Sequence, residues 1–522
     1  MIKKIIASIV AAVFAVGLFA PVVSADSLPT FINPSGEIQG TGGVDNIFYA
    51  YVNTGERLSW SLPRFDRWAS TVSMDWTVNI KGPTATESQT CTVSGSLTVG
   101  SVCAGTSAPA SADGIWEISW ARVSTGSQLV TSQQWGSPVN WGGNQPPQWF
   151  IKVLNAGNIE QTGRVFAEKI HLYQFYQMIN ADMRFWYVDT LGYVYDVHYP
   201  AIFGAGWEIS ADAFGIVKDG QCESAYRSAF ALKTGPSNEQ NEDIGFELSP
   251  ASCGGRYRIF LSRPDTTMPR TARDFATGQD TWLNPGEPKA TVIDSFKFIS
   301  NGDKNLPYAG TYQFDIKNYI GNIFIRISNG TDTVRIQHAI SGDDTVLIDF
   351  DGKDNAGKAM TGYRYIVRVD AGHKGEIHFV GDDIEGRIGG IIVNRITGSD
   401  VQRTALSWND SYLKERCNTT WPSLIGNLVD STPGVHGWDY TPNANGCGPQ
   451  NSFATTSWGD QRYIDDWAYD VGSAVSKEFT GLLAGDILPP DAGLVAAASG
   501  VGAVAFGLVA VGLMRRRAMS KR

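Results

Sequence analysis

The sequence predicts a mostly β fold: tandem β-sandwich domains followed by one carboxy-terminal transmembrane helix. Short runs rich in aromatic and branched residues recur along the chain, separated by Gly, Asn and Asp turn signals. No long amphipathic helical pattern appears before residue 490. One uncharged apolar span, Leu494 to Met514, stops at Arg515, Arg516 and Arg517, and is long enough at about 1.5 Å per residue to cross a bilayer core.

The two ends set the frame. Lys3 and Lys4, the apolar stretch Ile5 to Phe19 and Val23-Ser24-Ala25 have the pattern of a secretory signal peptide over 1–25. The basic cluster after Met514 belongs on the cytoplasmic side, so a membrane helix over 492–514 and a tail over 515–522 place everything else outside, at the cell surface. The formal net charge is −10, and setting aside the seven basic residues of the two ends leaves −17 on the expected ectodomain. Such a surface repels phosphate backbones, which excludes nucleic acid as a partner.

From 26 to 130 a first β-sandwich is expected, with Ile47 to Val52, Leu58 to Leu62, Val72 to Ile80 and Ile115 to Val123 as strands. Residues 131–160 form a Trp-rich linker or loop. Over 161–288 a second β domain follows, with a hairpin from Met183 to Tyr199 turning near Asp189-Thr190-Leu191-Gly192. Residues 289–396 carry regularly spaced strands with turns at Asn329-Gly330, Ser341-Gly342 and Asp351-Gly352, the spacing of an immunoglobulin-like sandwich. A loop-rich β domain over 397–471 and a stalk over 472–491 complete the ectodomain. Six cysteines permit fifteen disulfide connectivities. Nearest-neighbour pairing, Cys91 with Cys103, Cys222 with Cys253 and Cys417 with Cys447, keeps each bridge inside one unit; no C-x-x-C pattern speaks for zinc.

Asp349 to Val369 (DFDGKDNAGKAMTGYRYIVRV) resembles the immunoglobulin-like domain of flagellar hook-capping proteins, which implies a spacer module. With Gly375-Glu376-Ile377-His378-Phe379, Val435-His436-Gly437-Trp438 and Trp458-Gly459-Asp460, the chain resembles multidomain anchored surface proteins of actinobacteria and related Gram-positive lineages. Leu488, Pro489, Pro490 and Gly493 before the apolar span resemble a sortase sorting signal, with Asp491-Ala492 where threonine should stand. A retained membrane helix and a variant signal cut by sortase both remain open.

Candidate chemistry is sparse. Gly352 to Lys358 has phosphate-loop spacing, but Ala359 replaces the magnesium-binding hydroxyl and no helix follows. Asp349, Asp351 and Asp354 are close enough in sequence to offer oxygens to calcium as a cofactor, or to cap the amides of a turn. The adjacent carboxylates Asp465 and Asp466 point to opposite faces of a strand and cannot act as one catalytic pair. The six histidines are scattered singly and read as structural or surface groups. Trp135, Trp141 and Trp149 in the polar 131–160 stretch are the candidate ligand-binding rings, since tryptophan faces stack on sugars. The function expected is adhesion or ligand binding, to a glycan or a surface protein of a host or neighbouring cell. A structural envelope component and a glycan-active enzyme are the alternatives, and no catalytic motif supports the enzyme.

Overall fold

The computed structural model describes residues 33–34, 47–63, 75–93, 102–123, 149–173, 181–203, 207–230, 245–362, 364–372, 374–382, 384, 386–387, 389–397, 402–412, 429–430, 435–438, 462–470 and 475–483. Among the described residues the fold is β throughout, in six sheets, with one short 3-10 turn at Ala251–Cys253. None of these residues forms a helix long and apolar enough to cross a membrane. The expected signal peptide, the Leu494 to Met514 span, Leu488, Pro489, Gly493 and Arg515 to Arg517 lie outside the described residues.

The larger body is built from a seven-stranded and a fifteen-stranded sheet, with a three-stranded sheet of Arg57–Pro63, Val102–Thr106 and Phe150–Leu154 packed beside the fifteen-stranded one. One continuous apolar core lies between them. Phe379 of the seven-stranded sheet meets Tyr187 and Tyr195 of the fifteen-stranded sheet edge-on at 5.2 and 6.3 Å. The expected hairpin is present as Ala181–Val188 and Val194–Phe203. At its turn, buried Asp189 accepts from the amides of Leu191 (2.9 Å) and Tyr193 (2.7 Å), and Gly192 takes a φ of 98°.

The smaller body is a pair of sheets closed on a second core. Val292–Ser300, Gly310–Lys317 and Asp344–Phe350 form one sheet; Thr333–Ile340, Gly321–Ser328, Arg364–Ala371 and Val475–Leu482 form the other. Alternation builds it: Tyr312, Phe314, Ile316, Ile323, Ile325, Ile327, Val367 and Val369 point inward, and their neighbours face out.

Pairing crosses the boundaries expected from sequence. Lys374–Asp382, expected in the unit ending at 396, pairs instead with Trp207–Asp212 and Arg462–Asp470 of the larger body, and Ile392–Arg395 pairs with Val194–Phe203. Val475–Leu482, expected as stalk, is the seventh strand of the smaller body. Strand spacing says nothing about which sheet a strand joins. The burial pattern does: Lys374–Asp382 is covered along almost its whole length, as a central strand must be, whereas the smaller body's strands alternate.

Cys91 pairs with Cys103 and Cys222 with Cys253, at Cα separations of 5.8 and 5.1 Å. Cys417 and Cys447 lie outside the described residues.

Candidate functional site

The densest polar chemistry among the described residues is centred on Arg462–Asp470. This strand pairs antiparallel with Lys374–Asp382, setting Val380 opposite Asp465, Phe379 opposite Asp466 and His378 opposite Trp467. Opposed residues share a face, so Asp465 and His378 face one way and Asp466 the other. Two separate buried networks grow from these adjacent carboxylates.

On the first face His378 Nδ1 donates to Asp465 Oδ1 at 2.9 Å. Its Nε2 lies 3.3 Å from Glu376 Oε1 and 3.4 Å from Ser224 Oγ. A β-irregularity between Lys374 and Ile377 places Glu376 within reach of the ring. Trp467 stacks on the imidazole, and Tyr226, at a φ of 51°, tilts against it. Gly215, with a φ of 63°, passes so close that a Cβ there would lie 2.6 Å from both Asp465 Oδ1 and His378 Nδ1. From the smaller body, Asn322 Nδ2 donates to Ser224 Oγ at 2.9 Å. The network therefore bolts the two bodies together.

On the second face Asp466 looks into the core between the large sheets. Its Oδ2 accepts from Arg387 Nη1 at 2.7 Å and its Oδ1 from His436 Nδ1 at 2.5 Å. His436 Nε2 donates to Asp410 Oδ2 at 2.7 Å, and Trp408 lies parallel to the ring at 4.7 Å. Arg387 Nε donates to the His436 carbonyl at 2.8 Å.

Burial alone would depress the His378 pKa, but Asp465 and Glu376 overcome it and push it up to about 10. Burial likewise drives the Asp465 carboxyl up while His378 pulls it down. With the ring held between two carboxylates, the proton belongs on the imidazole. His436 is raised for the same reason, burial being outweighed by Asp466 and Asp410. Asp466 is held below the usual carboxylate range, burial being overcome by Arg387 and His436.

Ser224, His378 and Asp465 stand in the spatial order of nucleophile, base and orienting carboxylate. The electrostatics oppose that chemistry. A base must be neutral to accept the serine proton, and His378 is an imidazolium shared with Glu376. Ser224 Oγ is itself buried and engaged by Asn322. The arrangement holds charge and fixes register.

The residues expected to bind ligand are placed differently. Trp149 is 2% exposed and packs on Phe48 and Trp120 inside the core, leaving no face for a sugar. This corrects its assignment as a binding ring, and the reason is that the polar stretch before it ends at the start of strand Phe150–Leu154. Trp135 and Trp141 lie outside the described residues. An aromatic row does cross the outer face of the fifteen-stranded sheet, with Tyr49, Phe166, Phe260 and Trp186 directly opposed on successive strands. Met268, Trp282 and Leu283 pack over it, and Arg258 lies 4.3 Å from the rings of both Phe166 and Trp282. The row closes into a satellite core.

Asp349 accepts from Thr311 Oγ1 (2.6 Å), Asp351 from the Lys353 amide (3.0 Å), and Asp354 from the amides of Ala356 (2.9 Å) and Lys358 (2.8 Å). Asp351 and Asp354 serve local amides, which is the turn arrangement, whereas Asp349 is engaged by its cross-strand partner Thr311. Among the described residues no group of three or more His, Cys, Asp or Glu is placed to hold a metal.

Sequence reasoning missed His378, Glu376, His436, Asp410 and Arg387 as partners. The legible signal was Glu376-x-His378, two residues apart on a strand and so on one face. Its counterpart Asp465 is 87 residues away. No family, curated protein or solved structure matches this chain in sequence or fold.

Proposed function

We propose that the chain is an anchored cell-surface protein of a Gram-positive-type bacterium that carries out adhesion or ligand binding. In this reading 1–25 is a signal peptide, the smaller body is an immunoglobulin-like sandwich, and Leu494 to Met514 is the membrane helix.

The observation that carries the reading is the position of the last described strand. Val475–Leu482 pairs with Arg364–Ala371 over eight residue pairs, and the expected membrane span begins only eleven residues after Leu483. A tether there pulls on a hydrogen-bonded strand integral to the smaller body. The larger body, bolted on through Asn322, Ser224 and the His378 network, is then the part held farther out. The two disulfides and the β framework of the described residues suit an oxidising, exposed setting.

The test is to incubate the labelled ectodomain with a glycan array and with host matrix proteins. Retention on either is the expected result, and silence on both would remove adhesion and leave a structural envelope role. The mass of the mature carboxy terminus decides the anchor: a fragment ending near Ala492 marks cleavage by sortase, and an intact end marks a retained helix.

A further inference from the structure

The outer face of the four-stranded sheet of the smaller body carries a row of arginines in an otherwise acidic chain. Arg335 of Thr333–Ile340 stands directly opposite Arg326 of Gly321–Ser328, which stands directly opposite Arg368 of Arg364–Ala371. Glu478 of Val475–Leu482 ends the row. With strands about 4.8 Å apart, three guanidinium groups are rooted within about 10 Å of one another. Arg326 and Arg368 have side chains 45% and 47% exposed, and Arg335 is exposed. Arg364 lies on the same face, four residues from Arg368.

Like charges directly opposed across a sheet destabilise it, and this sheet opposes them twice in succession. The side chains are nonetheless held in place. Asp370 accepts from Arg368 Nε at 2.7 Å and lies 3.4 Å from Arg326 Nη2. Arg335 spreads over the Phe324 ring at 3.8 Å. Four arginines thus face two carboxylates, in a chain whose formal charge is −10. An arrangement that costs stability, is pre-ordered and is open to solvent fits an external anion.

We propose that this face binds an acidic glycan chain of the envelope in which the protein stands. The row, not the aromatic rings, would then be the ligand-gripping element. Planar guanidinium groups take carboxylates in bidentate fashion. Thr333, Gln337, Ser476 and Thr480, on the same face, offer hydroxyl and amide groups to sugar hydroxyls. An extended peptide is disfavoured because the inner strands have their backbone groups paired with neighbouring strands. A nucleic-acid duplex, with one charge per ~1.7 Å, would extend past the row onto a strongly acidic protein. The envelope as source rests on the anchored reading above, because the smaller body lies next to the expected membrane span; the anion site itself does not.

The test uses the full-length chain in detergent and polygalacturonate oligosaccharide as the probe, with neutral dextran, poly-glutamate and duplex DNA alongside. Expected is saturable binding of polygalacturonate that weakens as salt rises, with none to dextran. The triple variant Arg326→Gln, Arg335→Gln, Arg368→Gln should bind about tenfold or more weakly with a flatter salt dependence and an unlowered melting temperature. Arg273→Gln, a 53% exposed arginine elsewhere, should leave binding unchanged. Absence of binding, or equal binding by the triple variant, overturns the proposal. Preference for poly-glutamate or DNA also overturns it, in favour of a peptide or nucleic-acid partner. If polygalacturonate fails while the ectodomain still coats matrix or glycans, this inference falls alone. If polygalacturonate binds but the protein is not displayed on cells, the anchored reading falls and the row stands.

Discussion

The two bodies solve the same packing problem with opposite treatments of charge. The smaller one keeps an apolar interior of Tyr312, Phe314, Ile323, Ile325 and Val369 and carries its arginines outside. The larger one buries Asp465, Asp466, His378, His436 and Arg387. An apolar core is specified by alternation along each strand and tolerates local change. Buried charges are specified pairwise across long sequence separations, and each depends on its partner being present. Both bodies rest on apolar cores, and in the larger one the seating of Arg462–Asp470 depends in addition on a few ionic contacts.

The strongest way to break this contrast is Asp466→Ala. It leaves Arg387 and His436 buried without their shared partner, and a loss of about 3–5 kcal/mol is expected in urea unfolding. Replacing Arg387 and Asp466 together by apolar residues should recover part of that loss. Gly215→Ala should cost about 1–3 kcal/mol, because its Cβ would enter the His378–Asp465 contact at a positive φ; an exposed glycine such as Gly330 lacks that contact.

Two pH experiments sharpen the comparison. His378 titrates near 10 when folded against an ordinary 6.5, so its contribution is fully present below about pH 6.5 and is lost as pH rises through 10. The unfolding midpoint of the native chain should fall over that interval, and His378→Gln should flatten the fall. Asp189 shifts in the same direction, at lower pH. Burial, against the amides of Tyr193, Leu191 and Gly192, raises its carboxyl from 3.8 to about 7. The folded state then binds the extra proton, and stability declines between about pH 4 and 7 by at most ~1.4 kcal/mol per unit. Asp189→Asn keeps an acceptor for the turn and should remove that slope. The smallest effect belongs to the smaller body's surface: Leu347→Ser, at a 59% exposed position, should change stability by less than about 0.5 kcal/mol.

What the sequence disclosed follows the same division. Ile47–Val52 and the strands around Gly321–Ser328 and Asp344–Phe350 were legible because alternation and glycine turns are local properties. The hairpin at Asp189 was legible for the same reason. The destination of Lys374–Asp382 was not, because Glu376 and His378 look like surface groups until Arg462–Asp470 is laid beside them. Isolated histidines carried no mark of their carboxylate partners. Trp149 misled because its neighbours in sequence are polar and its neighbours in space are not.

The crossing of the chain between the two bodies has a kinetic consequence. Arg364–Ala371 waits for a partner that begins only at Val475, and Ala229–Phe230 pairs with Arg462 and Tyr463, more than two hundred residues downstream. Neither body can close its sheets during early synthesis, and loop-closure entropy must be met before those ladders form. Folding is expected to be slow and late, with the long-range ladders completed only once nearly all of the described chain is available. Until Val475–Leu482 arrives, Arg364–Ala371 lacks its outer neighbour, an open edge for premature pairing with another chain.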